Sequence, residues 1–277
     1  MTPAGAAVGR LLVCPTPIGN LEDVTLRVLD ALRDADVVAC EDTRHTRVLL
    51  DRHGIRTPLL SLHEHNERAR AAEIVRRIAS GELVALVSDA GTPLVSDPGF
   101  ALMRACLAGG LEVEVLPGPS AVMTALVASG LPTDRFGFAG FLPRKRKELD
   151  ELLADATQTL VAFESPRRLA GTLTLLAERD PDRPAAVCRE LTKLHEEVRR
   201  GTVAELAAHY RKRPARGEVV LVLGGAQEVP AQLSEALTAV REIVAAGARR
   251  RPAAAAVARL TGLSANELYR ELTRAEQ

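Results

Sequence analysis

Short runs of consecutive apolar residues alternate with stretches of helical spacing through the first 225 residues, a pattern that predicts α/β architecture rather than a sandwich or a bundle. Leu11–Cys14, Val37–Cys40, Leu59–Leu62, Leu83–Val87 and Val113–Leu116 read as strands. Thr25–Ala35, Thr43–His53, Glu67–Ser80 and Pro98–Ala108 carry helical spacing between them, and Gly54, Gly81 and Gly109 stand where those helices should stop. Five strands with four crossovers predict a first α/β domain over residues 1–118.

A second series predicts a smaller α/β domain over residues 119–225. Its strands are Arg135–Leu142, Thr159–Phe163, Ala185–Arg189 and Glu218–Leu223, and its helices Glu148–Ala156, Arg167–Glu178 and Val203–His209. Leu116-Pro-Gly-Pro-Ser120 marks the hinge, with Ser120 placed to cap the helix that follows. Residues 226–277 turn Ala-rich and helical. Ala253–Leu272 resembles a helix-turn-helix, with Gly262 in the turn.

Composition narrows the function classes. The 277 residues carry 36 Lys plus Arg against 36 Asp plus Glu, with 47% hydrophobic residues. The chain is therefore no polycation, and any nucleic-acid contact must come from local basic patches. Cys14, Cys40, Cys106 and Cys188 stand far apart, mostly among apolar neighbours, and read as reduced core residues. No apolar run is long enough to cross a bilayer and no leader pattern opens the chain, so a cytoplasmic protein without membrane contact is expected.

Candidate chemistry gathers at strand ends, where open α/β sheets place their ligands. Cys14-Pro-Thr-Pro-Ile-Gly-Asn20 lacks the glycine spacing that cradles a pyrophosphate, and its prolines remove amide donors, which disfavours dinucleotides and nucleoside triphosphates. Ser88–Gly99 is a long, stiff, polar loop. Its second half has a bland explanation, with Asp97 as cap and Pro98 as first residue of a helix. Glu41-Asp-Thr-Arg-His45 offers Glu41, Asp42 and Arg44 to a polar substrate, although Asp42 or Thr43 can equally cap a helix, and His45 stays open between a helix face and a site. His63-Glu-His-Asn66 has no second cluster at ligand spacing, so no metal is expected. Glu164 and Glu190 can each be a base or a structural partner of arginine.

These segments occur in a definite order: VCPTPIGN, EDTRHT, HEHNE, SDAGT, LPGPS, FAGFLP, FESPRR and RELTK. Together they resemble the bacterial small-subunit ribosomal RNA cytidine 2'-O-methyltransferases, a branch of the tetrapyrrole methylase superfamily, over about residues 10–225 and into the helical tail. The resemblance implies two α/β domains with S-adenosylmethionine in the cleft between them, and a homodimer. Carried over by position, it implies cofactor contacts from Pro17, Ser88, Asp89, Ala90, Leu94, Ser120, Ala121, Phe163 and Glu164, with backbone around Leu191–Leu194 closing an adenine pocket. Porphyrin-modifying relatives typically show GPGD-like and GGDP-like loops where this chain has TPIGN and VSDAG, which favours the RNA branch.

The implied reaction is methyl transfer to the 2'-oxygen of a cytidine ribose in the decoding region of 16S rRNA, within the small ribosomal subunit. Glu41, Asp42, His63 and Glu164 are the candidate proton acceptors, and Arg44, Asn66 and Lys193 the candidates for positioning the sugar-phosphate. Phosphate contacts are expected from residues 144–147, from Arg167 and Arg168, and from Arg249–Arg251. Two other readings are a methyltransferase for a small corrinoid or porphyrin, and a non-enzymatic nucleic-acid binder reading bases through Asn266, Glu267, Tyr269 and Arg270. The second leaves more than 200 residues of cleft-forming structure without a role.

Overall fold

The computed structural model describes residues 9–154, 156–226 and 233–274. Residues 9–226 form one compact unit and the helical residues after 226 another. Within the first unit, β1 (Arg10–Val13), β2 (Val37–Cys40), β3 (Leu59–Ser61), β4 (Leu83–Leu86) and β5 (Glu112–Val115) make a parallel sheet in the order β3-β2-β4-β1-β5. The four residues of β2 are all buried, because helices cover both faces and the strand needs apolar side chains on each. One face packs Leu12, Leu32, Val38 and Leu50, the other Leu11, Ile74, Leu86 and Leu102. Burying a leucine of this kind stabilises the fold by roughly 1.5–3 kcal/mol.

The helices between these strands are α1 (Leu26–Asp34), α2 (Thr43–Arg52), α3 (Glu67–Ala79) and α4 (Phe100–Ala108). Helix α4 corrects the sequence expectation at its start. It begins at Phe100 rather than Pro98, its cap residue is Gly99 with φ 122°, and Asp97 does not cap it. A carboxylate from α3 does so instead: Glu67 Oε1 accepts from the amides of Gly99 at 3.0 Å and Ala101 at 2.7 Å, where the positive end of α4 favours negative charge. Asp97 is thereby left free to face elsewhere.

After α5 (Ala121–Ser129), whose cap Ser120 accepts from Met123 N at 3.4 Å, come β6 (Phe136–Phe141), α6 (Arg146–Ala154), β7 (Thr159–Glu164), α7 (Leu169–Arg179) and β8 (Pro184–Arg189). Then follow β9 (Glu197–Thr202), α8 (Val203–Lys212) and β10 (Val219–Leu223). The second sheet runs β6-β7-β10-β8-β9; β6 and β7 are parallel and the other pairs antiparallel. Strand β9 is absent from the sequence reading. Its residues, Glu-Val-Arg-Arg-Gly-Thr, carry the charge expected of an edge strand rather than an apolar signal. One face of this sheet packs on α7 and α8. The other meets α5, and Ile18 from the first β1 loop inserts there beside Val122, Val161 and Cys188.

The second unit comprises α9 (Leu233–Ala245), α10 (Arg250–Thr261) and α11 (Ala265–Arg274), packed on Val240, Val257, Leu268 and Leu272. Gly262 ends α10 in the left-handed conformation at φ 70°, as the expected turn requires. All four cysteines are buried and free.

Candidate functional site

Because every strand of the first sheet is parallel, the loops after β1, β2, β3, β4 and β5 emerge on one rim. The β1 and β4 loops are stitched together there. Thr16 and Gly91 exchange two backbone hydrogen bonds at 2.9 Å, and the Thr16 hydroxyl donates to the Ser88 carbonyl at 3.0 Å. The Thr92 hydroxyl donates to the Pro119 carbonyl at 3.2 Å, tying in the loop after β5. From the other sheet, Thr192 Oγ1 accepts from Asn20 N at 3.0 Å. Among the described residues, four that are not glycine hold positive φ, namely Leu94, Ser96, Glu190 and Thr192. All lie in the β4–α4 and β8–β9 loops, where strained backbone marks over-determined, functional structure.

Between these loops lies a cleft of about 460 Å³, within the range of small-ligand sites. Ala90, Ser120, Ala121, Phe163 and Glu164, all expected to contact a cofactor, line it, together with Asp97, Glu190, Leu191 and Glu218. A contiguous cleft of about 330 Å³ shares Ile18, Ala90 and Glu218 and adds Pro17, His45, Ser88, Asp89 and Lys193. Leu94 and Leu194 line neither. Leu94 packs into the first sheet's core, close beside Gly99, and Leu194 is 93% exposed.

Four acidic residues line the larger cleft, Asp97, Glu164, Glu190 and Glu218, and among the described residues no lysine, arginine or histidine does, although Glu164 pairs with Arg168, and Glu190 and Glu218 with Lys193. With Arg168 and Lys193 offsetting part of that charge, the lining is acidic on balance and disfavours phosphate. Burial, with Glu41 and Asp89 close by, raises the Asp97 carboxyl to about 6 against the pull of the Ser88 hydroxyl. Glu41 is also raised, first by burial and then by Asp89, with His63 opposing.

The remaining candidates are held in local networks. Asp42 caps α2 through Arg44 N at 2.8 Å and pairs with the Arg44 guanidinium at 2.7 Å; these bonds lower its carboxyl well below the usual range. Glu164, with no exposed side-chain surface, accepts from Ser165 N and from Thr172 Oγ1, each at 2.6 Å, with Arg168 at 3.4 Å. Asn66 Nδ2 donates to His63 Nε2 at 3.1 Å and Asn66 Oδ1 accepts from His63 N at 2.9 Å. The ring proton therefore sits on His63 Nδ1, which is buried and without a partner among the described residues. Lys193 Nζ lies between Glu190 at 3.2 Å and Glu218 at 3.1 Å.

Two of the segments expected to meet phosphate also make contacts within the chain, part-buried ones at Arg168 and exposed ones in the run 144–147. Arg168 donates to the carbonyls of Leu142 and Pro143 at 3.1 and 2.9 Å as well as facing Glu164. In the run 144–147, Lys145 pairs with Glu148, Arg146 with Glu178 and Lys147 with Glu151. The Arg249–Arg251 run is exposed, with Arg251 stacked 5.2 Å from the Tyr269 ring centre. No group of three or more His, Cys, Asp or Glu among the described residues is arranged to hold a metal ion, and no helix among them is long and apolar enough to cross a membrane.

The sequence profile described as Tetrapyrrole (Corrin/Porphyrin) Methylases matches residues 10–207. The chain belongs to the tetrapyrrole methylase family. This tetrapyrrole methylase is 46% identical over 278 aligned positions to the ribosomal RNA small subunit methyltransferase I of Mesorhizobium japonicum, covering 98% of this chain and 93% of that protein. It is likewise 46% identical to the protein of the same name from Thermotoga maritima, over 79% of this chain and 99% of that protein. Among solved structures, uroporphyrin-III-C-methyltransferase from Thermus thermophilus is similar at 27% identity with a TM-score of 0.56, over 78% of this chain and 94% of that one. The chain is accordingly a methyltransferase of two α/β lobes followed by C-terminal helices.

Proposed function

We propose that this methyltransferase uses S-adenosylmethionine to methylate the 2'-oxygen of a cytidine ribose in the decoding region of 16S rRNA. The observation that carries the cofactor is the cleft lining, acidic on balance and with no basic residue among those described. S-adenosylmethionine has a sulfonium and an ammonium group against one carboxylate, and no phosphate, so its net positive charge complements this lining, whereas a dinucleotide's negative charge does not. Gly91 lines the cleft at φ 77°, a backbone conformation that glycine adopts without strain. Phe163 and Phe141, with ring centres 5.5 Å apart, offer an apolar surface to an adenine.

When bound, the cofactor supplies a methyl group already activated by the sulfonium. The protein's task is then to hold the ribose oxygen in line with that methyl and to receive the hydroxyl proton. The ribosomal substrate is supported by the names of the relatives at 46% identity and by the TPIGN and VSDAG loops. A 2'-hydroxyl target also gives the site a chemical means of distinguishing RNA from DNA.

The protein acts on the small subunit in the cytoplasm, as a homodimer. Phe100 and Leu107 support the dimer: seven residues apart on one face of α4, they are 63% and 61% exposed, and such a face calls for a partner. The deciding experiment is incubation with labelled S-adenosylmethionine and undermodified small subunits, followed by mass mapping of ribose methylation. Label on one cytidine 2'-oxygen is the expected result. Cofactor binding with no RNA labelling, but transfer to uroporphyrinogen, would move the assignment to the small-molecule branch.

A further inference from the structure

Resting on the ribose-methylation reading above, we propose that Asp97 accepts the hydroxyl proton of the reacting ribose. None of the four side chains that strand-end placement brought forward presents a free acceptor to the cleft. Asp42 is committed to Arg44 and to the start of α2, and Glu164 to Ser165, Thr172 and Arg168. His63 has one ring nitrogen accepting from Asn66 and the other carrying the proton, and neither His63 nor Glu41 lines the cleft.

Asp97 does line it. Its place in the wall is set from both sides along the chain: Leu94 and Ser96 hold left-handed backbone just before it, and Glu67 clamps the amides of Gly99 and Ala101 just after it. Among the described residues no arginine, lysine or histidine forms an ion pair with Asp97. The groups near it are Ser88 and Asp89 at the end of β4 and Glu41 at the end of β2, with His63 acting on Glu41. Across the cleft stand Glu164, paired with Arg168, and Glu190 and Glu218, which share Lys193. Burial first, and then the charges of Glu41 and Asp89, hold the carboxyl at about 6 against the Ser88 hydroxyl. At that value it is ionised at neutral pH yet basic enough to take up a proton, the compromise general-base catalysis favours.

In the step itself the ribose oxygen forms a bond to the methyl carbon while the carbon–sulfur bond breaks and its electron pair stays on sulfur. The hydroxyl proton passes to an Asp97 carboxylate oxygen. The products are the 2'-O-methyl ribose, neutral S-adenosylhomocysteine and protonated Asp97, which returns its proton to solvent.

The test compares wild type, Asp97→Asn and Glu41→Gln on undermodified small subunits, reading single-turnover rates from pH 5 to 9 and cofactor affinity by calorimetry. Wild type should lose rate as pH falls through about 6. Asp97→Asn should bind cofactor within about threefold of wild type but react at least about 100-fold more slowly, with the acid limb gone. Glu41→Gln should move that limb to lower pH, because it removes a negative neighbour. An Asp97→Asn rate near wild type, a surviving acid limb, or a rate loss matched by an equal loss of cofactor affinity would overturn the assignment. If wild type binds cofactor yet methylates no ribosomal RNA, the function reading fails and takes this one with it.

Discussion

Glu67 and Gly99 lie 32 positions apart, yet the carboxylate of the first accepts the amide of the second at 3.0 Å. One side chain thereby ties α3 to the start of α4 and fixes the end of the loop that carries Asp97. Glu67→Ala should destabilise the fold by about 1.5–3 kcal/mol, the worth of hydrogen bonds to a charged acceptor, and weaken cofactor binding, because the loop loses its anchor. Glu67→Gln should recover part of both. Urea denaturation with parallel calorimetry checks this; a cofactor affinity unchanged in Glu67→Ala would show that the loop holds without the clamp.

Glu164 should behave as a structural residue. Truncation to alanine leaves Thr172 and the Ser165 amide without their acceptor and Arg168 without its counter-ion, a loss of about 2–4 kcal/mol. A guanidinium chloride melt measures it. A Glu164→Ala protein that unfolds like wild type but no longer transfers methyl would return Glu164 to the chemistry.

Asp97 also has a signature in stability. Its folded value of about 6 lies above the 3.8 of a free carboxyl, so between those pH values the folded chain holds more protons than the unfolded one, and stability falls as pH rises through that window. Asp97→Asn removes the penalty. It should raise the melting temperature at pH 7.5 and leave it nearly unchanged at pH 4, a gain in stability set against a loss of function. Equal shifts at both pH values would contradict the raised carboxyl.

The exposed Arg249–Arg251 run should contribute phosphate contacts. Replacing all three with glutamine is expected to weaken RNA affinity and flatten its dependence on salt, by about 2 in the log–log slope if each arginine meets one phosphate of a single strand. Filter binding between 50 and 300 mM salt reads this directly, and an unaltered slope would remove the tail from the interface.

The parallel sheet was legible because its inner strands are buried on both faces and so are written as continuous apolar runs, as in Val37–Cys40. Strand β9 was not, since an edge strand with Arg199 and Arg200 exposed carries no such run. Strand ends pointed to the loop that holds Ala90 and to Phe163 and Glu164, and the resemblance to Ser120 and Ala121; all of these line the cleft. What each side chain does there depended on partners far along the chain. Asp97-Pro98-Gly99 looks locally like a helix start, and only Glu67, which caps α4 from α3, reveals that Asp97 is not needed for that task. Lys193, a candidate for positioning the sugar-phosphate, pairs at 3.1 Å with Glu218, just before β10, a partner that the local sequence does not show.

A sheet whose strands all point one way sorts its connections onto two opposite rims. The clefts draw on one; the other carries the tight turns at Gly54, between α2 and β3, and Gly110, between α4 and β5. Both glycines hold positive φ with open space around them, so an insertion that keeps the glycine, rather than a substitution, is how an affinity tag, a fluorophore or a surface tether can be grafted on that rim while the cleft edge stays open.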